Sequence, residues 1–319
     1  MWDFTLARSR FLPTVTDMRY LTIPLLFSML AILPANAETE RLDLSGFESE
    51  VYKKASGDDL YIYRIDPTGH DPAKDSRPAA VFFFGGGWNG GSPTQFEPHA
   101  RYLAARGLVV FLADYRVKSR QGTSPRECAE DGASAIRWVR SHASQLGVDP
   151  DRIAAGGGSA GGHVAATTGM CSGFDHPDED ASVSSRSNLL LLFNPVYDNG
   201  PEGYGHSRVK EWFPAISPAH NIGKGNPATI VFLGTRDKLI PISQAESFRD
   251  QQKAAGVDSE LHLYEGEPHG FFNLKLGQGK PQHFQDTVLK MDAFLVKHGY
   301  LEGKANMEKL KEISDGQKK

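Results

Sequence analysis

Short apolar runs alternate with amphipathic segments along most of this chain. The continuous apolar runs at 79–84 and 108–113 are typical of strands covered on both faces, whereas DLYIYRI (59–65) alternates like a half-buried edge strand. Segments such as 94–107 and 125–146 have the apolar spacing of helices. Further strands are predicted at 152–155, 188–193, 228–234 and 259–264, and further helices at 242–256 and about 282–299. This alternation predicts an α/β fold with a doubly wound, mostly parallel sheet and helices on both faces.

The composition is that of an ordinary globular protein. The 319 residues are 39% hydrophobic and 23% charged, with a net charge of -4. Because no block of Lys and Arg accompanies this mildly acidic balance, nucleic acid is not expected as a partner.

The N-terminus has the features of a secretory signal peptide. Arg19 precedes the apolar run LTIPLLFSMLAIL (21–33), and small residues follow at Ala35 and Ala37. The run is short for a membrane span, although a membrane anchor or a buried helix is the alternative interpretation. Met18 is a possible true start. We therefore expect export to the periplasm or the medium, without stable membrane insertion after cleavage.

These patterns divide the chain into three consecutive parts, the second of which contains an insertion. A signal peptide at 1–37 precedes a main domain at 38–302, which contains a long Gly- and Pro-rich insertion at about 196–222. Long loops inside a domain are usually functional or disordered. The charged tail at 303–319 is predicted to be a frayed helix or disordered.

The segment GGGSAGGH (156–163) fits two patterns. As GxGxxG it would cradle a dinucleotide, but that site needs an acidic residue about 20 positions further on, at the end of the next strand. The nearby acids at 175–180 lie in a polar loop instead, and Gly162 occupies the position of a P-loop lysine. As GxSxG the segment predicts a nucleophile elbow that exposes Ser159 at a helix N-terminus. A plain glycine turn is the ordinary alternative.

A nucleophilic serine needs a base, and the base needs an acid that orients it. Asp237 and His269 each follow a predicted strand, in the chain order serine, acid, histidine. Asp198 is a second candidate acid, and Asp237 has the alternative role of capping a helix. His163 is nearer in sequence but lies in the helix after the elbow. The predicted catalytic residues are therefore Ser159, Asp237 and His269.

The segment FFFGGGWNGG (82–91) ends a predicted strand in three glycines. Glycines let backbone amides approach a tetrahedral intermediate closely. We expect the amides of Gly86, Gly87 and Ala160 to form an oxyanion hole, with an ordinary glycine turn as the alternative.

Aromatic side chains are concentrated in the insertion, which contains Tyr197, Tyr204, Trp212 and Phe213. Such side chains stack on sugar or aromatic rings, or simply pack a loop onto its domain. Tyr197, Trp212 and Phe213, together with Trp88, are expected to line the substrate pocket.

Taken together, the motifs resemble the α/β-hydrolase superfamily, and within it the esterase/lipase branch that includes hormone-sensitive lipases and bacterial acetyl-xylan and feruloyl esterases. The motifs are GGGW, DYR (114–116), GGSAGG (157–162), GTRDKLIP (234–241) and EPHGF (267–271). The resemblance covers roughly residues 48–300. It implies an eight-stranded sheet and a serine carboxylic-ester hydrolase that needs no cofactor or metal.

Two positions depart from the family pattern. Phe84 stands where the family carries the histidine that organises the oxyanion loop, so we expect packing of Phe84 and Trp88 to hold the loop instead. Gly158 stands where relatives of hormone-sensitive lipase carry aspartate, which favours the carbohydrate esterases. The expected substrate is a small-molecule or polysaccharide ester, foremost acetylated carbohydrate such as xylan. A general short-chain carboxylesterase, a feruloyl esterase and a non-catalytic binding protein of the same fold are the alternatives.

The implied fold also bears on the two cysteines, Cys128 and Cys171. It places Cys128 at the start of a helix near the catalytic crevice and Cys171 at the far end of the helix after the elbow, about 18 Å along. A disulfide requires Cα atoms within about 7 Å. We therefore expect two free, buried thiols.

Overall fold

The computed structural model describes residues 41–274 and 280–316. The predicted signal peptide lies outside the described residues. Within these ranges no helix combines the length and apolar character that a membrane span requires.

The described residues contain one eight-stranded sheet. Its strands are β1 (Glu48–Ala55), β2 (Asp58–Ile65), β3 (Arg77–Phe83), β4 (Val109–Ala113), β5 (Val148–Gly158), β6 (Leu189–Phe193), β7 (Ala228–Gly234) and β8 (Ser259–Tyr264). Their order across the sheet is β1-β2-β4-β3-β5-β6-β7-β8. β2 pairs antiparallel with β1 and β4, and all other neighbours pair parallel. The predicted fold class is confirmed, and the carboxyl ends of β3 and β5 to β8 meet at one edge.

Helices cover both faces of this sheet. They are α1 (Glu97–Arg106), α2 (Lys118–Gln121), α3 (Pro125–Ser141), α4 (Ala143–Leu146), α5 (Ala160–Met170), α6 (His206–Val209), α7 (Ile242–Ala254), α8 (Pro281–Lys297) and α9 (Met307–Gly316). Side chains of α3, α5 and α7 enter the apolar core on one face, and those of α1, α8 and α9 enter the core on the other. Each face of the sheet thus has its own buried core.

The helix predicted over 125–146 is two helices, α3 and α4. The Ser124 hydroxyl caps α3 by accepting from the Arg126 amide, and the Glu127 carboxylate accepts from the Ser124 amide in return. α4 ends at Gly147, which adopts a left-handed φ of 60°.

The strand β1 has no counterpart among the strands predicted from apolar runs. Its sequence ESEVYKKA is half charged, and Val51 is 37% exposed. β1 pairs only with β2, at the edge of the sheet. Charged side chains are typical of edge strands because they discourage pairing with other chains, and this is why the apolar pattern failed to indicate the strand.

The C-terminal tail forms a helix, one of the two predicted alternatives, but this helix is packed on the core rather than frayed. Residues 307–316 form α9, whose Leu310 and Ile313 are buried in the core beside α1 and α8. The Asn306 amide donates to the Tyr102 hydroxyl at 3.3 Å. Leu310 and Ile313 lie three residues apart and so share one helix face, which packs although the segment is otherwise charged.

Both cysteines are free and buried, as expected. Cys128 lies in the first turn of α3, where its thiol donates to the Arg116 carbonyl at 3.1 Å. Cys171 follows the last residue of α5. Burial raises the pKa of both thiols, that of Cys171 to about 12, so neither is a ready nucleophile.

A buried histidine lies in the core formed by α1, α8 and α9. His99 on α1 is 1% exposed, and both its ring nitrogens lack a hydrogen-bond partner in the described chain. Five phenylalanines surround the imidazole: Phe82, Phe96, Phe193, Phe272 and Phe284. Burial in this apolar cage lowers the pKa of His99 to about 3.

We expect His99 to make the fold acid-sensitive. Because the folded-state pKa is depressed, the neutral imidazole stabilises the fold fully above the unfolded pKa of about 6.5, and this contribution is lost as the pH falls towards the folded-state value. Urea unfolding should show that the free energy of unfolding falls between pH 7 and pH 4 in both proteins, and that it falls by about 3 kcal/mol less in His99→Phe than in wild type. His220→Phe, which changes an exposed histidine, should retain the wild-type dependence. Equal acid dependence in all three proteins would contradict the expectation.

Candidate active site

Ser159 lies at a sharp turn between β5 and α5. Its backbone has φ 53° and ψ −119°, a strained conformation for a residue with a side chain. Backbone hydrogen bonds hold it there: the Ser159 amide donates to Phe193 at 3.0 Å, and the Ser159 carbonyl accepts from His163 and Val196. The strain is thus supported by β6 and by the segment after it, and the side chain reaches a surface cavity.

Glycines around Ser159 leave room for close backbone packing. A Cβ at Gly161 would lie 2.1 Å from the carbonyl oxygen of Phe83 and 2.3 Å from that of Phe84. A Cβ at Gly157 would lie 2.4 Å from the Gly161 oxygen. The elbow therefore contacts the end of β3 backbone to backbone, which no larger residue permits.

Asp237 and His269 meet at the ends of β7 and β8. The His269 Nδ1 and the Asp237 Oδ2 are 2.7 Å apart, and the Asp237 side chain is fully buried. The other carboxylate oxygen accepts from the amides of Leu239 and Ile240. Asp237 therefore caps the turn before α7 and binds the histidine at the same time, so the two roles considered for it coexist.

The other candidates lie apart from this pair. The Asp198 carboxylate accepts from the Gly200 amide and lies 3.9 Å from His220. His163 is buried on α5, and its Nε2 lies 2.9 Å from the Ile216 carbonyl. Burial lowers the pKa of His163 to about 4, which keeps the ring neutral.

Asn194 is a residue of this site that the sequence patterns missed. It follows β6 with φ 34°, and its Oδ1 accepts from the Gly270 amide at 3.0 Å. Its Nδ2 lies 3.3 Å from the His269 Nε2, which in the described residues contacts this amide rather than Ser159. A donor at Nε2 favours the tautomer that carries its proton on Nδ1, facing Asp237. The only signal was a polar residue directly after the apolar run LLLLF (189–193).

Both ends of the glycine loop after β3 are held by side chains. The Phe84 carbonyl accepts from the Tyr115 hydroxyl at 2.5 Å, and the Phe84 ring stacks on Tyr115 with centroids 4.2 Å apart. The Gly85 amide donates to the Gln95 Oε1 at 2.6 Å. Further along, the Gly87 carbonyl accepts from Arg208 Nη1 at 2.6 Å.

Three amides remain available at this loop and at the elbow. Across the described chain, the structure has no protein acceptor for the amides of Gly86, Gly87 or Ala160. Gly86 and Gly87 have φ of 137° and 61°, which only glycine adopts without strain. These are the amides predicted for an oxyanion hole; Gly86 and Gly87 line the cavity that Ser159 enters, and Ala160 directly follows Ser159.

A cavity of about 500 Å³ joins these elements. Its lining includes Ser159 and His269, the glycines 85–87 and 91, Ser92, Thr94, Gln95, Asn194, Tyr204, Leu239, Gly270, Phe272 and Asn273. An esterase site needs this combination: an exposed hydroxyl, an imidazole paired with a carboxylate, and free amides around one space.

The four aromatic residues predicted to line the substrate pocket are not part of this lining. Tyr197 is buried and stacks on Phe248 at 4.6 Å. Trp88 is 2% exposed and packs edge-on against His163. Trp212 packs on the core, and Phe213 contacts histidines of the insertion. Burying a large aromatic ring is strongly stabilising, so Tyr197 and Trp212 pack the insertion onto the domain, while Phe213 packs within the insertion.

Comparisons with known proteins identify the family of this chain. The BD-FAE family model matches residues 68–193, and the dienelactone hydrolase family model matches 204–297. A solved structure of Thermogutta terrifontis esterase 2 is 46% identical, covers 82% of this chain and 98% of its own, and superposes with a TM-score of 0.79. The chain belongs to the α/β-hydrolase esterases. It is therefore a carboxylic ester hydrolase by family.

More distant relatives are esterases too. The probable isoprenylcysteine alpha-carbonyl methylesterase ICMEL1 of Oryza sativa subsp. japonica is 30% identical over 66% of this chain and 53% of its own length. Esterase LipC of Mycobacterium tuberculosis is 30% identical over 61% of this chain and 54% of its own. The chain thus spans about half the length of these curated relatives.

In this esterase the DYR motif (114–116) supports the glycine loop through Tyr115, which contacts Phe84. Arg120 donates to the carboxylate of Asp114 and to the Tyr115 carbonyl, and the Arg116 guanidinium binds Asp131, which is fully buried. Tyr115 is thereby fixed between two ion pairs, and its ring and hydroxyl hold Phe84. The expected support from Phe84 is present, but its partner is Tyr115, while Trp88 packs under the guanidinium of Arg208 at 4.8 Å.

Proposed function

We propose that this esterase hydrolyses carboxylic esters with Ser159 as nucleophile, His269 as base, Asp237 as orienting acid, and the amides of Gly86, Gly87 and Ala160 as oxyanion hole. One observation carries the proposal. His269, hydrogen-bonded to the buried Asp237, lines the same cavity as a serine held in strained backbone geometry. Strain persists where the surrounding structure supports it, and it is concentrated at functional sites.

The proposed reaction requires the His269 Nε2 to exchange its contact with the Asn194 amide for one with the Ser159 hydroxyl. As the Ser159 oxygen attacks the ester carbonyl carbon, His269 takes the hydroxyl proton at Nε2, and Asp237 stabilises the imidazolium through Nδ1. The free amides stabilise the negative charge on the carbonyl oxygen. The alcohol leaves with the proton from His269, and water then attacks the acyl-enzyme, losing its own proton to His269. As the bond between the acyl carbon and the Ser159 oxygen breaks, His269 returns this proton to that oxygen, and the products are a carboxylic acid and the free serine.

The proposed substrates are esters of short acyl groups. Solved structures of Thermogutta terrifontis esterase 2 are described as propionate bound and butyrate bound, at 44% and 45% identity to this chain. The cavity volume of about 500 Å³ suits a small ester. The hydroxyl-bearing residues Ser92 and Thr94 line it, which suits a hydroxylated alcohol such as acetylated carbohydrate. We propose acetylated carbohydrate as the substrate class. We also propose export from the cytoplasm, on the signal-peptide features of the N-terminal sequence.

A panel of esters tests the proposal. We expect kcat/KM to be highest for p-nitrophenyl acetate, propionate and butyrate and to fall for octanoate, with release of acetate from acetylated xylan. A fluorophosphonate probe should label Ser159, because it reacts with an activated serine. Preference for methyl ferulate over the acetylated substrates would favour a feruloyl esterase, and absence of labelling would contradict the serine mechanism.

Phe272 is expected to limit acyl length. A Cβ at Gly158 would lie 2.6 Å from the Phe272 Cζ, so the ring packs against the residue that precedes Ser159, and Phe272 also lines the cavity. We expect Phe272→Leu to raise the ratio of kcat/KM for p-nitrophenyl octanoate over acetate by about tenfold, since each methylene accommodated contributes about 1 kcal/mol or more.

The neighbouring residue offers the control for this prediction. Phe271 is equally buried but packs against Tyr264 and His283, away from the cavity lining. Phe271→Leu should therefore leave the chain-length ratio unchanged, while costing a similar amount of stability. An identical ratio in both variants would show that Phe272 does not shape the acyl site.

A further inference from the structure

The peptide units that carry the Gly86 and Gly87 amides lie between two clamped units. Before them, the peptide joining Phe84 to Gly85 is held at its carbonyl by Tyr115 and at its amide by Gln95. After them, the carbonyl of Gly87 is held by Arg208. Because each peptide is planar and rigid, fixing the two flanking units restricts the rotation of the units between them.

Gln95 reaches beyond the glycine loop. It lies on the 3-10 helix Pro93–Phe96, where its Oε1 accepts from Gly85, and its Nε2 donates to the Asn273 Oδ1 at 2.8 Å. Asn273 is 3% exposed, and its Nδ2 donates to the Gly270 carbonyl at 2.9 Å. Gly270 directly follows His269. A chain of amides thus connects the glycine loop to the loop of the histidine.

We propose that Gln95 and Asn273 are positioning residues that hold the oxyanion amides at a fixed distance from His269. This proposal rests on the proposed function. The structural reason is that the two loops follow different strands, β3 and β8, which are not neighbours in the sheet. Among the described residues, no direct strand pairing therefore joins the two loops. The bridge links them through side chains and adds to the support that Tyr115 gives Phe84.

The chemistry of the bridge suits this task. An amide side chain donates and accepts at once, so Gln95 satisfies a backbone donor and a side-chain acceptor without adding charge. A carboxylate at the same place would repel the negative charge that develops on the carbonyl oxygen. Gln95 also lines the cavity, so a direct contact with substrate is the competing explanation that the experiment has to separate.

Gln95→Met tests the bridge because methionine retains the length of the side chain and loses both hydrogen bonds. We expect kcat for p-nitrophenyl acetate to fall about 10- to 100-fold with KM changed less than threefold, since the loss arises in the transition state. Affinity for a trifluoromethyl ketone, which forms a tetrahedral adduct, should fall in parallel. Gln95→Ala is the second variant, and Gln145→Met, at an exposed position of α4, is the control.

Asn273→Leu removes the other half of the bridge. The double variant Gln95→Met/Asn273→Leu should be no more than about twofold slower than the slower single variant, because both changes break the same connection. Melting temperatures of all variants show whether each protein is folded in the assay.

Distinct outcomes separate the two proposals. A raised KM with unchanged kcat for Gln95→Met would identify a substrate contact and overturn the bridge, as would wild-type kinetics in both Gln95 variants. Fully additive losses would overturn the coupling of Gln95 to Asn273. A wild-type protein that hydrolyses no ester and resists the fluorophosphonate probe would overturn the proposed function and the bridge with it.

Discussion

Ser159→Ala is expected to lower kcat for p-nitrophenyl acetate by at least about 10³-fold and to abolish fluorophosphonate labelling. The reason is chemical: without the hydroxyl no acyl-enzyme forms, while the cavity, the amides and the pair of Asp237 and His269 remain. Stability should change little, because the bonds that hold the turn all involve the backbone of residue 159.

The matched control is Ser144→Ala, which changes an exposed serine on α4 and should retain wild-type rates. Steady-state kinetics, labelling and melting temperature are measured on the same preparations. A Ser159→Ala protein that hydrolyses the ester at near wild-type rate would refute the assignment of the nucleophile. An inactive but unfolded protein would instead show that the backbone of the turn depends on the hydroxyl.

Gly161→Ala is expected to lower activity by at least about 100-fold and to destabilise the fold by several kcal/mol. The added Cβ would lie 2.1 Å from the Phe83 oxygen and 2.3 Å from the Phe84 oxygen. Real Cβ atoms do not approach backbone oxygens so closely, so β3 and the glycine loop must move away from the elbow. That movement displaces the Gly86 and Gly87 amides relative to Ser159.

Gly223→Ala is the control for this change. A Cβ at Gly223 meets no atom within 4 Å, so activity and melting temperature should match wild type. Thermal unfolding and ester kinetics check both variants. Wild-type activity in a folded Gly161→Ala protein would show that the oxyanion amides do not depend on the contact between elbow and loop.

Much of the fold was predictable from local patterns. Seven of the strands were predicted from apolar or alternating runs, and the continuous runs arise because a strand with helices on both sides buries both of its faces. β1 was not among them, because an edge strand carries charge. The charge of the tail predicted a frayed helix or disorder. Leu310 and Ile313, which lie three residues apart, were enough to pack α9 onto the core.

The candidate site divides along similar lines. Ser159, Asp237 and His269 were predictable because each follows a strand, and parallel strands bring their carboxyl ends to one edge whatever the details of packing. The four aromatic residues assigned to the substrate pocket were misplaced. Aromaticity alone does not distinguish a ring that meets ligand from one that packs a loop.

By itself, then, the sequence determined the fold class, the elbow glycines and the order of the catalytic candidates, because these depend on periodicity and on local backbone geometry. The tertiary structure alone decided the supporting contacts: Tyr115 under Phe84, Asn194 beside His269, and Gln95 with Asn273, which lie 178 residues apart in the chain. Such contacts have no sequence pattern. They depend on where independent loops end in space, and only the packed sheet sets those positions.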